Sequence, residues 1–457
     1  GFLVFYLLGL GVIVFPLLLL EFAIGRQGGS HAIASLAAVA TESRASSRWA
    51  LVGLVGVVGS IVILSYYSVI GGWALAYVVD TVANGLPSGP DLAQERLDGL
   101  LASPLRIAAY HVVFMGLTAV VVARGIANGI ERASLYLMPI LTVLVILLAA
   151  FSIVHGDLGA AARFLFGLDL DRLSPRVALE AIGLGFFSIG VGLAVMITYA
   201  AYADPAFDLR HVATITLVSD TAISLIAGLA VFPVVFEEGL NPASGPGLMY
   251  VTLPLAFARV PFGTVAATAF FILLSVAALA SAISLLEMPV ALAHRELGWS
   301  RRRSAVGAAA LCWALGIPSV LSFNVWATWR PLAWLPGLSS LSVFDALDHL
   351  ASNILLPLGG VALAVFGGWV VPPRLLAGQL GLSEAGNRAP PVLAALCRPA
   401  RDRRREHSAD SLRAPLVLGV QIRRLRHSAA GGQHITCPAR ARQVRRRVPA
   451  PASRYAA

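Results

Sequence analysis

Four carboxylates, Glu21, Asp220, Glu287 and Asp348, stand inside long apolar runs of the chain. A charge held within hydrocarbon costs about 2.5–3.5 kcal/mol or more, so such groups are functional candidates by default. Asp220, in "LVSDTAISLIAGLAVFP", is followed one helical turn later by Ser224, which gives one helix face a carboxylate and a hydroxyl. Hard cations such as sodium favour oxygen ligands of this kind, by the logic that governs calcium and magnesium. A helix-cap role near a membrane surface is the plainer use for Asp220. Glu21, in "LLLLEFAIGRQGG", could accept hydrogen bonds from N–H groups freed by a broken helix; the plainer use is an interfacial carboxylate. Glu287 and His111 read as packing or interface residues. "SYYSVIGGW" puts two tyrosine hydroxyls in mid-span, where a buried phenol normally finds a polar partner.

The stretch "GLGFFSIGVGLAVMITYAAY", from Gly183 to Tyr202, raises a further question: it is apolar enough for a bilayer yet holds four glycines and a serine. Glycine inside a helix costs about 1 kcal/mol relative to alanine. In hydrocarbon, free backbone polar groups cost several kcal/mol each unless they face protein or a wet cavity. A helix loosened at "FFSIGVG" therefore predicts a polar cavity near the midplane, lined by released carbonyls and helix ends, as in transporters built on discontinuous helices. The alternative is a glycine-rich packing face against a neighbour. "GLVGVVG", Gly53 to Gly59, resembles a nucleotide loop only superficially and reads as a close-packing surface.

These residues need spans to hold them. The 457 residues are 58% hydrophobic and 13% charged, with mean hydropathy +0.79. Soluble domains carry about 25% charged residues, so composition points to a polytopic membrane protein. Three cysteines without regular spacing speak against a disulfide framework or a zinc site. No HExxH, P-loop or nucleophile elbow is present, and no nucleophile and base converge within a span, so an enzyme is not expected. The net charge of +10 belongs to the tail beyond residue 390; the rest of the chain is slightly acidic, which removes support for nucleic-acid binding.

A span needs roughly 20 apolar residues. About nine are expected, at 2–22, 51–79, 105–122, 134–154, 178–202, 211–236, 262–292, 304–323 and 344–371, with 237–263 a structured loop carrying short helices. Arginine is denser in loops 23–50, 123–133, 202–212 and 295–304, which assigns that set to the cytoplasm and the chain to a multi-pass inner or plasma membrane location. The expected division is a transporter core over 1–371 and an Arg/Pro/Ala-rich tail over 372–457. That tail reads either as disordered chain beside anionic lipid or as a shifted reading frame replacing further spans.

Several stretches in register resemble the neurotransmitter:sodium symporter family, in its bacterial branch: "FLVFYLLGLGVIVFPLLLLEFAIGRQGG", "SYYSVIGGW", "RGIANGIERAS", "GFFSIGVGLAVMITYAAY", "AGLAVFP", "SGPGLMYVTLPLAFA" and "AALAS". The resemblance runs in order from residue 1 to about 371. It implies an all-α polytopic membrane protein with a LeuT-type inverted-repeat helical bundle, lacking the family's first helix and its last spans. It implies sodium ions as coupling ions, with chloride a further candidate, an amino-acid-like substrate, and a homodimer as a candidate assembly.

Carried over by that resemblance, Tyr67 would bond the substrate carboxylate, with Ile63 one turn before it and Phe187 closing over the site. Ser188 would serve substrate and the first sodium, and Asp220 stands where that ion usually finds Asn or Asp. Ala277, through its carbonyl, and Ser281 resemble second-sodium ligands, and Ser281 and Gly190 also fall in the substrate pocket. Ser224 falls at the position linked to chloride or a substituting carboxylate. Asp348 resembles the acidic half of the outer gate and Tyr202 part of the cytoplasmic gate. Departures are Leu184 for the usual glutamine, Gly190 and Ala280 for usual hydroxyl residues, and Arg295 for the usual cytoplasmic-gate acid. Two functions follow: sodium-coupled symport of an amino acid or related zwitterion, or a transport-inactive or sensory relative that keeps the scaffold.

Overall fold

The computed structural model describes residues 2–167, 174–240, 242 and 245–381. The expectations for 382–457 lie outside the described residues. All regular structure among the described residues is helical. The chain runs through α1 (Phe2–Gly28), α2 (Ala32–Glu42), α3 (Ser47–Asn84), α4 (Pro90–Leu101), α5 (Pro104–Ala123), α6 (Ile126–His155) and α7 (Leu158–Phe166). It continues through α8 (Pro175–Ile189), α9 (Val195–Ala200), α10 (Leu209–Glu237), α11 (Leu248–Ala258), α12 (Gly263–Glu296), α13 (Arg301–Ser322), α14 (Val343–Val370) and α15 (Pro373–Gln379).

Eight of these are long and apolar enough to cross a membrane: α1, α3, α5, α6, α10, α12, α13 and α14. The ninth expected span, 178–202, is two helices, α8 and α9, with no helix between Ile189 and Val195. Observed spans outrun the apolar runs at their polar ends, as at Ser47–Asn84 against an expected 51–79. Polar first turns are made possible by caps. Ser103, Ser174, Asp208 and Ser300 each accept a first-turn amide, and Ser342 forms a reciprocal capping box with Asp345. Within α1, Leu10–Val14 form a π-type turn. Past Val371, Leu376 of α15 and Leu380 just after it are buried.

Long-range hydrogen bonds sort the helix ends into two faces. On one face Arg26 of α1 donates to the carbonyls of Asp204 and Phe207, Arg301 of α13 to that of Val122, and Gln379 of α15 to Gln27. On the other, Asn324 donates to the Leu101 carbonyl, and the Asp157 amide to that of Pro233. The partition agrees with alternate crossing, α8 and α9 together counting as one pass. Helix α3 runs through the middle and contributes to all three apolar clusters, by Val57 and Ile63, by Val69 and Trp73, and by Leu64.

Candidate functional site

The break between α8 and α9 is built by backbone conformation. Helix α8 stops at Gly190, whose N–H still reaches the Phe186 carbonyl at 3.0 Å while its φ is +76°. Gly192 at +93° and Ala194 at +57° keep the chain from re-entering a helix until Val195. Left-handed φ values suit glycine and cost a side-chain-bearing residue such as Ala194 about 1 kcal/mol or more.

One freed group has a side-chain partner. The Gly192 N–H donates to Glu21 Oε1 at 2.7 Å, and Glu21 is fully buried on α1. The same carboxylate faces the amides of Met196 and Ile197 in the first turn of α9, the positive end of that helix. The structure thus sets Glu21 against the N–H groups of the break. Glycines on neighbouring helices admit the irregular backbone. A Cβ on Gly56 of α3 or Gly359 of α14 would collide with the carbonyl oxygens of Leu193 and Gly192 respectively. Gly53 and Gly59, the other glycines of "GLVGVVG", lie against Ile33 and the Leu193 side chain. That motif packs helices.

Beside the break, Ser188 in the last turn of α8 donates to Asp220 Oδ2 at 2.7 Å. Tyr6 of α1 donates to the same oxygen at 3.4 Å, and its phenol also faces Ser188 and Ser224. Three helices therefore contribute one carboxylate and three hydroxyls to a single spot. Asp220 Oδ1 accepts no hydrogen bond among the described residues. An all-oxygen donor set with an uncommitted carboxylate oxygen fits a hard monovalent cation. Among the described residues no group of three or more His, Cys, Asp or Glu side chains could hold a metal ion, so a transition-metal reading has no support there. Tyr6 was not among the expected site residues.

A second cluster lies along α3 and α12. The Tyr67 phenol faces Ser281 of α12, Ile63 is buried one turn before it, and Ala277 stands one turn before Ser281. Phe187 is 45% exposed, and a side chain at Gly190 would meet open space. The structure does not hydrogen-bond Tyr67 to Ser188 or Asp220. The polar contacts fall in two groups, one at the break and one on α3 and α12. Ala280 supplies no side-chain oxygen; its carbonyl accepts the Ser284 hydroxyl at 3.4 Å.

Toward the two faces, further polar groups pair. Asp348 of α14 accepts Tyr66 OH at 2.9 Å and Ser352 Oγ at 3.2 Å, both on Oδ1. The first tyrosine of "SYYS", Tyr66, thus serves Asp348 rather than the cluster of its neighbour. At the arginine-rich face, Tyr202 donates to Glu287 Oε1 at 3.4 Å. Glu287 is not a mere packing residue: it is fully buried and bound in two-point fashion by Arg301, whose Nη1 meets Oε1 at 2.8 Å and whose Nη2 meets Oε2. His111 is buried against Ser68 Oγ at 2.8 Å, and Gly316 leaves room for its ring. Arg295 donates to Ser30 Oγ at 3.0 Å.

A membrane bundle with a helix broken at its polar centre, cradled by glycines and capped by a buried glutamate, has the architecture of a secondary transporter. A model of the sodium:neurotransmitter symporter family matches residues 101–324. An uncharacterised sodium-dependent transporter of Bacillus subtilis, YhdH, is 36% identical over 84% of this chain and 82% of its own. An uncharacterised sodium-dependent transporter of Haemophilus influenzae is 30% identical over 79% of each chain. The crystal structure of MhsT in complex with L-phenylalanine superposes with a TM-score of 0.76 at 38% identity, covering 84% of this chain and 85% of that one. The chain belongs to the neurotransmitter:sodium symporter family, a family of transporters and not of enzymes, and has its LeuT-type fold.

Proposed function

We propose that this protein is a sodium-coupled symporter of an amino acid, working across the plasma membrane with its arginine-rich loops on the cytoplasmic side. One observation carries the reading: the oxygen cluster of Ser188 and Asp220 sits where the α8–α9 helix breaks. Sodium held there is neutralised by the Asp220 carboxylate, and the ion in turn offsets the charge of a substrate carboxylate. Ala277 and Ser281 furnish oxygens for a second ion. Tyr67, Ile63, Phe187, Ser188, Gly190 and Ser281 line the substrate pocket, with Phe187 free to swing over it. Asp348 closes the outer side; Tyr202, with Glu287 and Arg301, closes the inner. MhsT, solved with L-phenylalanine, supports an amino acid as the first substrate to try.

The test is uptake of labelled L-phenylalanine and other amino acids into proteoliposomes under an inward sodium gradient. Uptake above a sodium-free control, lost in Asp220→Ala, is expected. Equal uptake with and without sodium would overturn the coupling, and sodium-dependent uptake surviving in Asp220→Ala would overturn the ion assignment. Ala280 and Arg295, at positions where the family uses a hydroxyl and an acid, favour a second reading: a relative that binds substrate without pumping it. Saturable binding without gradient-driven uptake selects that reading.

A further inference from the structure

The inner half of the broken helix poses a physical problem. Helix α9 has six residues, whereas isolated helices shorter than about 12–15 residues are marginal even with favourable sequences. Its direction must be fixed by neighbours. Glu21 addresses its first turn. Its other end is held by Tyr199, whose hydroxyl donates to Ser284 Oγ of α12 at 3.2 Å, and by the corner between α1 and α2.

That corner is rigid in itself. Ser35 donates its hydroxyl to the Ser30 carbonyl at 2.7 Å and accepts the Ser30 N–H at 3.1 Å, so one side chain pins both backbone groups of Ser30. Gly29 takes φ +62°, and Gly28 has no room for a Cβ against Ser35. The three residues that follow each reach a different partner. Ser30 Oγ accepts from Arg295 Nη1 at 3.0 Å, and His31 Nε2 meets Glu296 Oε1 at 2.8 Å. The Ala32 N–H donates to Thr198 Oγ1 of α9 at 3.2 Å, and that hydroxyl donates onward to Met288 Sδ of α12 at 3.1 Å. Two consecutive residues of the corner thus bond two consecutive residues at the end of α12, while the third holds α9.

His31 is 2% exposed and, among the described residues, its Nδ1 has no partner and the ring's polar engagement is with Glu296 alone. A neutral imidazole with its hydrogen on Nε2 satisfies that contact, since a carboxylate can only accept. Arg295, which replaces an acid at this position of the family, has a use here: it secures the corner.

We propose that Ser30 and His31, with Arg295 and Glu296, form a clasp that fixes the end of α12 to the α1–α2 corner and so positions the inner half-helix α9. The clasp rests on the transporter reading only for its purpose, which is to keep the arginine-rich side shut; its effect on α9 is independent of substrate and sodium. Opening that side requires the two pairs, 30 with 295 and 31 with 296, to part together.

The experiment is hydrogen–deuterium exchange by mass spectrometry on the full chain in detergent, without sodium or substrate. Peptides covering Val195–Ala200 are compared with peptides covering Arg301–Ser322. Losing a charge-assisted hydrogen bond corresponds to about a tenfold change in a local opening equilibrium. His31→Ala and Glu296→Ala are expected to speed exchange in Val195–Ala200 by about tenfold and to leave Arg301–Ser322 unchanged. His31→Gln, which keeps a donor for Glu296, is expected to restore most of the protection. Glu296 is 58% exposed, so its variant still folds if the His31 variant does not. Wild-type exchange at Val195–Ala200 in Glu296→Ala, or acceleration spread equally over both peptides, overturns the clasp. Failure of sodium-driven uptake would sink the transport reading and leave this result standing.

Discussion

Replacing Gly56 by alanine adds one carbon to α3 at the point where it touches the unwound segment. The new Cβ would stand 2.7 Å from the Leu193 carbonyl carbon and closer still to its oxygen, where ordinary contact begins at 3.4 Å. The obstacle is backbone, so no rotamer change relieves it. Leu193 would have to retreat by roughly an ångström, against Gly359 and Leu356 on the far side, which already crowd Gly192. Overpacking of this kind costs about 1–3 kcal/mol. If the shift also pulls the Gly192 N–H from Glu21, a charge-assisted bond worth about 1.5–3 kcal/mol is lost as well. Gly116 of α5 serves as control, because a Cβ there meets nothing within 4 Å. Gly116→Ala should be neutral or stabilise by up to about 1 kcal/mol through helix propensity alone. Thermal inactivation in detergent, with all variants heated at one rate, checks the ranking. Gly56→Ala melting together with wild type and Gly116→Ala would refute the idea that glycine holds the break open for its neighbours.

Other outcomes follow from the same geometry. Tyr6→Phe removes one hydroxyl from the Asp220 cluster, about 1 kcal/mol or a fivefold rise in half-saturating sodium, read from sodium titration of binding. Glu287→Gln strips the charge from a buried pair and should destabilise by up to about 3–5 kcal/mol, while Glu287→Gln with Arg301→Gln recovers much of the loss in a double-mutant cycle. Tyr66→Phe keeps the ring against Phe344 but leaves Asp348 with Ser352 alone, and bound labelled amino acid should dissociate about two- to tenfold faster. An unchanged dissociation rate there would remove Asp348 from the outer closure.

The break in the α8–α9 helix was legible because glycine is a costly choice inside a span, and its clustering marks where a helix stops. Glu21 was legible as a charge in an apolar run. Tyr6 was not: a single tyrosine in "FLVFYLLG" carries no spacing signal, and its partner Asp220 is 214 residues away. Glu287 and Arg301 sit 14 residues apart across the α12–α13 turn, a separation that no local periodicity reveals. The apolar run puts the start of α6 at about 134, whereas the chain winds from Ile126 through a wider π-type turn that includes the polar Asn128 and Glu131. Spacing along one helix is written in local sequence, whereas encounters between helices arise only from the fold.

The wide turn at Leu10–Val14 has its own implication for descent. Such a turn carries one residue more than the α-helix around it, and each residue turns an α-helix by about 100°. Tyr6 lies before it and Glu21 after it, so that extra residue sets the phase between the grip on Asp220 and the grip on Gly192. Deleting Val12, which faces outward at 47% exposure, would spare the span's apolar character yet rotate one grip away from its target. Insertions and deletions along this helix should therefore be tolerated only in pairs that return both side chains to a common heading.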